Sequence, residues 1–246
     1  MNPVIIIPAR LAATRLPGKP LADIAGKPMV VHVMERALAA AIGPVWVACG
    51  DTEIAGVVRA AGGHAVMTDP ALPSGSDRVH AAAEAEDPAR RHDVVINLQG
   101  DLPAIPPETI RAVLAPLADP GVDIATVVAP VVSAEEETAD SVVKAVCAFR
   151  PGAATARALY FSRARAPFGD GPLWHHIGIY AFRRAALARF VTLPPTLLEL
   201  RERLEQLRAL EDGMRIDVAQ AASAPFGVDT PADLERARRL LGGPAG

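Results

Sequence analysis

Three cations, Arg10, Arg15 and Lys19, stand close together with no acid among them. They follow Val4-Ile5-Ile6-Ile7, a short β-branched apolar run that reads as a buried strand stopped by Pro8. The stretch after it holds Pro8, Pro17, Gly18 and Pro20, so it is a loop and not a helix or strand. Ligands of open α/β sheets bind outside the carboxyl ends of the strands. A tricationic loop placed there suits a triphosphate, and backbone N–H groups at Ala12, Ala13 and Thr14 would add fixed dipoles. A solvated basic loop is the competing reading. The loop is not a P-loop, because position 13 is Ala and Pro20 follows Lys19. The strongest isolated carboxylate is Asp101, directly after Gly100 and two residues before Pro103. A carboxylate at the end of a buried strand suits Mg²⁺, which takes one or two carboxylates plus substrate phosphates; an ordinary turn would also place an Asp there. Asp229, just ahead of Thr230-Pro231, reads on its own as a helix cap.

The elements that position these residues are strands alternating with helices. Pro28 to Ala41 has helical apolar spacing, Val45 to Ala48 is a second strand, and Asp51-Thr52 caps a helix from Glu53 to Ala61. Ala65 to Met67 is a short strand, Asp77 to Glu86 a helix, Asp93 to Leu98 a central strand, and Pro107 to Leu117 another helix. Asp123 to Val131 is a further strand. This alternation predicts an α/β fold with a parallel sheet covered by helices on both faces. After Ser133 the pattern changes: Glu135-Glu136-Glu137 reads as a solvated acidic face. Val142 to Phe149 and His175 to Phe182 read as longer strands on either side of Tyr160-Phe161-Ser162-Arg163. Pro195 to Leu210 reads as one charged amphipathic helix, on which Glu202, Glu205 and Gln206 share a face. Ala232 to Leu241 is the last helix, with Asp233 facing solvent in its first turn.

At 246 residues, one large domain is the simplest expectation, with residues 133–210 as a region within it. Half the residues are hydrophobic and the net charge is −3, which gives no support to nucleic-acid or anionic-membrane binding. Two cysteines, Cys49 and Cys147, are too few for a disulfide framework or a zinc site, and Cys49 reads as a small core residue. The first apolar run is too short to span a bilayer and has no basic region before it, so a cytoplasmic location is the default expectation.

Ile6-Ile7-Pro8-Ala9-Arg10 followed by Thr14-Arg15-Leu16-Pro17-Gly18-Lys19-Pro20-Leu21 resembles the opening of the 3-deoxy-manno-octulosonate (Kdo) cytidylyltransferases. Later motifs match in the same order, from Val4 to about Arg238. Gln99-Gly100-Asp101-Leu102-Pro103 is similar to the family's Gln-Gly-Asp-Xaa-Pro, and Gly227-Val228-Asp229-Thr230-Pro231 to its Gly-Val-Asp-Thr-Pro. The resemblance implies a three-layer α/β/α nucleotide-diphospho-sugar transferase (Rossmann-like) fold with a mainly parallel mixed sheet. It also implies transfer of CMP from CTP to Kdo with release of pyrophosphate, for lipopolysaccharide biosynthesis.

The site residues follow from the same resemblance. Asp101 and Asp229 would hold Mg²⁺. Arg10, Arg15 and Lys19 would hold the triphosphate, so these five form the catalytic set, and Pro8 and Ala9 would line the nucleotide. Ser74-Gly75-Ser76-Asp77-Arg78 resembles a loop that closes on cytosine and ribose, with Gly75 allowing close backbone approach and Ser74 and Arg78 supplying donors. Gln99, Arg163, His176, Tyr180, Glu205 and Gln206 would face the sugar, Arg163 gripping its carboxylate. A lone His is more often a core residue, so the role of His176 rests on the resemblance alone. Lys144 matches an Asn-Xaa-Val-Lys pattern in which Ser141 replaces the Asn. Family members are homodimers, and Phe149 and Phe161 are the expected exposed apolar residues of the interface after Ser133. One departure bears on specificity: Leu102 stands where the family usually has Glu. A cytidylyltransferase for another acidic sugar, of the sialic acid or 8-amino-Kdo type, and a non-catalytic CTP-binding regulator are the alternatives.

Overall fold

The computed structural model describes residues 1–12 and 16–243. Contacts divide the chain into two compact units. The first is Met1–Ile110 with Pro225–Gly246, and the second is Arg111–Ala224.

The first unit is built on parallel strands. β1 (Pro3–Ala9) leads through the basic loop to a two-residue hairpin, β2 (Asp23–Ile24) and β3 (Lys27–Pro28). Next come α1 (Met29–Ala40), β4 (Val45–Cys49), α2 (Thr52–Ala60), β5 (His64–Met67), α3 (Gly75–Glu86) and β6 (Val94–Leu98). The strand order is β5-β4-β1-β6, with every pair parallel. β1, β4 and β6 are almost wholly buried, which is why their sequences are unbroken apolar runs instead of alternating ones. α1 starts on Pro28, whose fixed φ suits a helix entrance. α3 begins two residues earlier than its sequence predicts, because Ser74 Oγ accepts from the Asp77 N–H and so caps the helix. The C-terminal helix, Pro231–Leu241, returns to this unit. Its Leu234 and Ala237 pack with Val228, Ile24 and Met29, and Leu16 of the basic loop lies against the same cluster.

Helix α4 (Pro107–Ala112) stops short of the expected Leu117, and a 3-10 turn over Ala115–Ala118 with Pro116 at its start follows. The second unit contains β7 (Ile124–Pro130), α5 (Ala134–Thr138), β8 (Lys144–Cys147), β9 (Thr155–Ser162), β10 (Trp174–Arg183), α6 (Arg184–Phe190), α7 (Leu197–Glu202), α8 (Leu207–Glu211) and β11 (Ile216–Gln220). The order β10-β7-β11-β9-β8 is mixed: β7 and β11 are parallel and the other neighbours antiparallel. Among the described residues, no helix is long and apolar enough to cross a membrane.

Several expectations are corrected here. Tyr160-Phe161-Ser162 does not lie between strands; it is the end of β9. Glu135-Glu136-Glu137 is at least partly exposed, as a solvated acidic face should be; it forms the first turn of α5, capped by Ser133, where carboxylates complement the helix dipole. Pro195 to Leu210 is two helices. α7 is capped by the Thr196–Glu199 box and ends at Arg203, whose φ of 55° is left-handed. The break lets Arg208 clasp the Glu199 carboxylate with Nε (2.7 Å to Oε2) and a second nitrogen on Oε1. On one continuous helix these two residues would be about 13 Å apart along the axis. Glu202, Glu205 and Gln206 therefore do not share a helical face. Phe161 is fully buried, and half-buried Phe149 packs at a tilt against Trp174, 4.7 Å between ring centroids, so neither is an exposed apolar residue.

Candidate active site

A cleft of about 360 Å³ opens in the first unit at the carboxyl ends of β1 and β6. Its walls carry Pro8, Ala9, Arg10 and Lys19 from the first strand and its loop, Ser74, Gly75 and Arg78 from the start of α3, Gln99 and Asp101 after β6, and Asp229 ahead of the C-terminal helix. Every residue assigned to the nucleotide from sequence, apart from Arg15, lines this one cleft. Arg15 lies outside the described residues, as do Ala13 and Thr14.

Backbone geometry sets the loop. The Leu11 N–H donates to Asp51 Oδ2 at 2.8 Å, and the Gly18 N–H donates to the Leu11 carbonyl at 3.3 Å. Gly18 is left-handed (φ 69°) at the start of a 3-10 turn over Lys19–Leu21. These contacts close the base of the loop and turn Lys19 inward. Asp51 occupies the predicted cap position of α2, but its side chain makes no capping bond and holds the basic loop instead. Sequence reasoning missed that role. The available signal was its place two residues beyond β4, at the same sheet edge as the loop.

The centre of the cleft is a cation between two acids. Lys19 Nζ lies 3.0 Å from Asp101 Oδ2 and 3.0 Å from Asp229 Oδ1. The two carboxylate oxygens thus face each other from elements far apart in sequence, separated by no more than the width of one ammonium contact on each side. Asp229 is delivered by the backbone: the Val228 N–H donates to the Asp101 carbonyl at 2.9 Å, and Val228 itself is fully buried. The capping that sequence gave to Asp229 falls to its neighbour. Thr230 Oγ1 accepts from the Asp233 N–H, and Asp233 Oδ2 accepts from the N–H groups of Asp229 and Thr230. Asp233 is folded back on this turn and does not simply face solvent, and these bonds hold its carboxyl below the usual range against the opposing effect of burial. Gly100 is needed for close packing, since a Cβ there would stand 3.1 Å from the Pro8 carbonyl oxygen. Leu102 is buried, with Gly227 beside it, and is not in the cleft wall.

Arg78 is almost wholly buried. One nitrogen donates to Thr68 Oγ1 (2.6 Å) and the Asp69 carbonyl (3.1 Å), and the other to the Pro70 carbonyl (3.4 Å). Burial first, and then the charge of Arg10, pull its pKa below the ordinary guanidinium value. An anion in the cleft would relieve that repulsion. The Ser74 hydroxyl donates to Asp77 Oδ2 at 2.6 Å, so its proton is committed to the cap. Gln99 donates to Asn97 Oδ1 at 3.0 Å, and buried Asn97 donates to Ser76 Oγ at 3.5 Å, which fixes the amide.

The remaining sugar-side residues lie in the second unit. Arg163 Nε donates to the Glu202 carbonyl (2.8 Å) and its Nη1 to the Asp140 carbonyl (2.7 Å). Glu202 in turn accepts from Ser162 Oγ and the Arg163 N–H, both at 2.9 Å. His176 is buried, 3.0 Å from Thr126 Oγ1 and edge-on to Phe161, and burial lowers its pKa to about 3. Tyr180 packs beside His176, and burial followed by the Glu205 charge raises its hydroxyl pKa above the ordinary value. Gln206 is buried with no hydrogen-bond partner for Nε2, a donor that a hydroxyl oxygen would satisfy. Lys144 is fully buried and donates to the Ala139 carbonyl at 2.8 Å.

A cytidylyltransferase family model matches residues 4–216. The chain is 65% identical to the 3-deoxy-manno-octulosonate cytidylyltransferase of Rhodospirillum centenum, over 98% of this chain and 93% of that protein. It is 63% identical to that of Methylobacterium radiotolerans over 98% of each. The chain belongs to the 3-deoxy-manno-octulosonate cytidylyltransferase family. A solved structure of CMP:2-keto-3-deoxy-manno-octonic acid synthetase complexed with CTP superposes with a TM-score of 0.89 at 41% identity, covering 98% of both chains. A 4-diphosphocytidyl-2C-methyl-D-erythritol synthase from Anaerococcus prevotii shares the fold at a TM-score of 0.64 and 11% identity. The family's α/β nucleotide-sugar transferase fold is thus the fold of this chain.

Proposed function

We propose that this protein activates Kdo for lipopolysaccharide biosynthesis by the reaction CTP + Kdo → CMP-Kdo + pyrophosphate. The observation that supports it most directly is the meeting of Lys19, Asp101 and Asp229 in a cleft that also presents Arg10 and Arg78, within a chain of this family. The anomeric hydroxyl oxygen attacks the α-phosphorus in line and loses its proton to solvent, and the bond from that phosphorus to the departing pyrophosphate breaks. Arg10 and Lys19 neutralise the charge that gathers on the leaving pyrophosphate. The N-terminal N–H groups of α3, at Gly75 and Ser76, favour negative charge at the cleft wall. Catalysis is mainly positioning and charge neutralisation.

The divalent ion proposed is Mg²⁺. The donor set fits it: two hard carboxylates, on Asp101 and Asp229, already converge on one cation. Among the described residues no cluster of three or more His, Cys, Asp or Glu competes for a metal. When bound, Mg²⁺ supplies Lewis-acid neutralisation of substrate oxygens. We further propose a cytoplasmic homodimer, with the exposed leucines Leu197 and Leu200 on α7 in the subunit contact.

The test is pyrophosphate release from CTP, Mg²⁺ and Kdo, with ATP and GTP as controls and other 2-keto acid sugars as a panel. Release with Kdo well above the panel supports the reading. Greater release with another sugar moves the specificity, and CTP binding without release makes the protein a regulator.

A further inference from the structure

We infer that Lys19 is a resident counter-ion for the two carboxylates, and that it must be exchanged onto phosphate before a divalent ion can occupy the pair. The inference rests on the proposed function and adds a binding order to it. Lys19 Nζ contacts both acids at 3.0 Å, and its side chain is only 16% exposed, so the ammonium is part of the cleft wall and not a surface charge. Facing carboxylates repel each other, and a cation 3.0 Å from both offsets that repulsion.

A divalent ion bound to the same oxygens would sit closer to them than the ammonium does, in the space the ammonium fills. Two cations cannot share that space, and moving the lysine away without a new anion exposes an unpaired charge. A triphosphate supplies the anion. Lysine suits the exchange because its ammonium sits on a flexible stem with three donors, unlike the rigid fork of arginine. The Lys19 N–H donates to the Leu16 carbonyl (3.1 Å) and its carbonyl accepts from the Ala22 N–H (3.1 Å), so its backbone is anchored while the side chain is free to swing. Metal and nucleotide are then coupled: each raises the affinity of the other by the same factor.

Mn²⁺ serves as the probe, with the free ion counted by its electron paramagnetic resonance signal. Titrations are run on the whole protein, with and without CTP and without sugar, against the Mn²⁺–CTP complex in buffer alone. Wild type should take up Mn²⁺ weakly alone and about tenfold more tightly with CTP, after the buffer complex is subtracted. Lys19→Met, checked for folding by its melting curve, should bind Mn²⁺ alone about tenfold more tightly than wild type. Adding Asp101→Asn to Lys19→Met should remove that gain. Wild-type affinity for Mn²⁺ that is the same with and without CTP overturns the inference, and so does a Lys19→Met value equal to wild type. If Lys19→Met does not fold, Lys19→Gln takes its place, and the wild-type titrations decide without either variant. Failure of the activity itself reads differently: it is absence of pyrophosphate release from CTP and Kdo, whatever Mn²⁺ does.

Discussion

Asp51 caps no helix with its side chain; it accepts the Leu11 N–H at the root of the basic loop. A hydrogen bond to a charged acceptor contributes about 1.5–3 kcal/mol, so Asp51→Ala should lower the melting temperature by a few degrees and, by loosening the loop, raise KM for CTP about tenfold with kcat close to wild type. An unchanged KM would remove Asp51 from loop positioning. Asp101 and Asp229 are expected to behave differently. Asp101→Asn and Asp229→Asn should each lower kcat about 100-fold or more while the fold persists, measured by pyrophosphate release and by melting in the same buffer. The sequence made Asp101 legible because Gly100 and Pro103 isolate it after an apolar strand. Asp229 was harder to read, because a run of Asp-Thr-Pro satisfies capping by either of its first two residues. In the fold Thr230 takes the cap and Asp229 is left to the cleft.

At the level of elements, the parallel strands of the first unit were legible because each is buried on both faces and so is apolar throughout. The second unit was less so. β11 escaped notice because it carries Asp217, a buried charge made tolerable by Arg215 at 2.9 and 2.8 Å, which interrupts the apolar run. The division of Pro195 to Leu210 into α7 and α8 depends on the Glu199–Arg208 pair, a contact that helical periodicity cannot register. The C-terminal helix offers a direct test of positioning by an element. Thr230→Ala removes a cap worth about 1 kcal/mol and should lower thermal stability by that amount. It should also lower activity more than the stability loss explains, since Asp229 is anchored to the same turn. Wild-type activity in this variant would show that Val228 alone places the carboxylate.

Over the whole molecule, buried histidine sets an acid limit. His176 is held neutral, with a pKa near 3 against an ordinary 6.5, by burial first and by the neighbouring His175 second. The unfolded chain therefore binds more protons between those values, and stability is full above about pH 6.5 and falls as the pH drops towards 3. Between pH 7 and 5 the loss from this group is about 2 kcal/mol. His176→Gln should flatten that part of the profile in denaturant titrations at the two pH values; an equal slope would place the acid sensitivity elsewhere. Assembly state is a second property at this scale. Leu197 and Leu200, three residues apart on α7, are 83% and 64% exposed. Sedimentation should give a dimer at micromolar concentration, and Leu197→Glu with Leu200→Glu should shift it to monomer. The division of the first unit has a separate outcome. Its strands come from the beginning of the chain, but Val228, Asp229 and the helix behind them come from the end. During synthesis the ribosome releases the loop first, then Asp101, and the second carboxylate only after the whole of the second unit. A nascent chain stalled between Asp101 and Asp229 carries the lysine and one acid without the other, so turnover must wait until Asp229 has emerged and joined them.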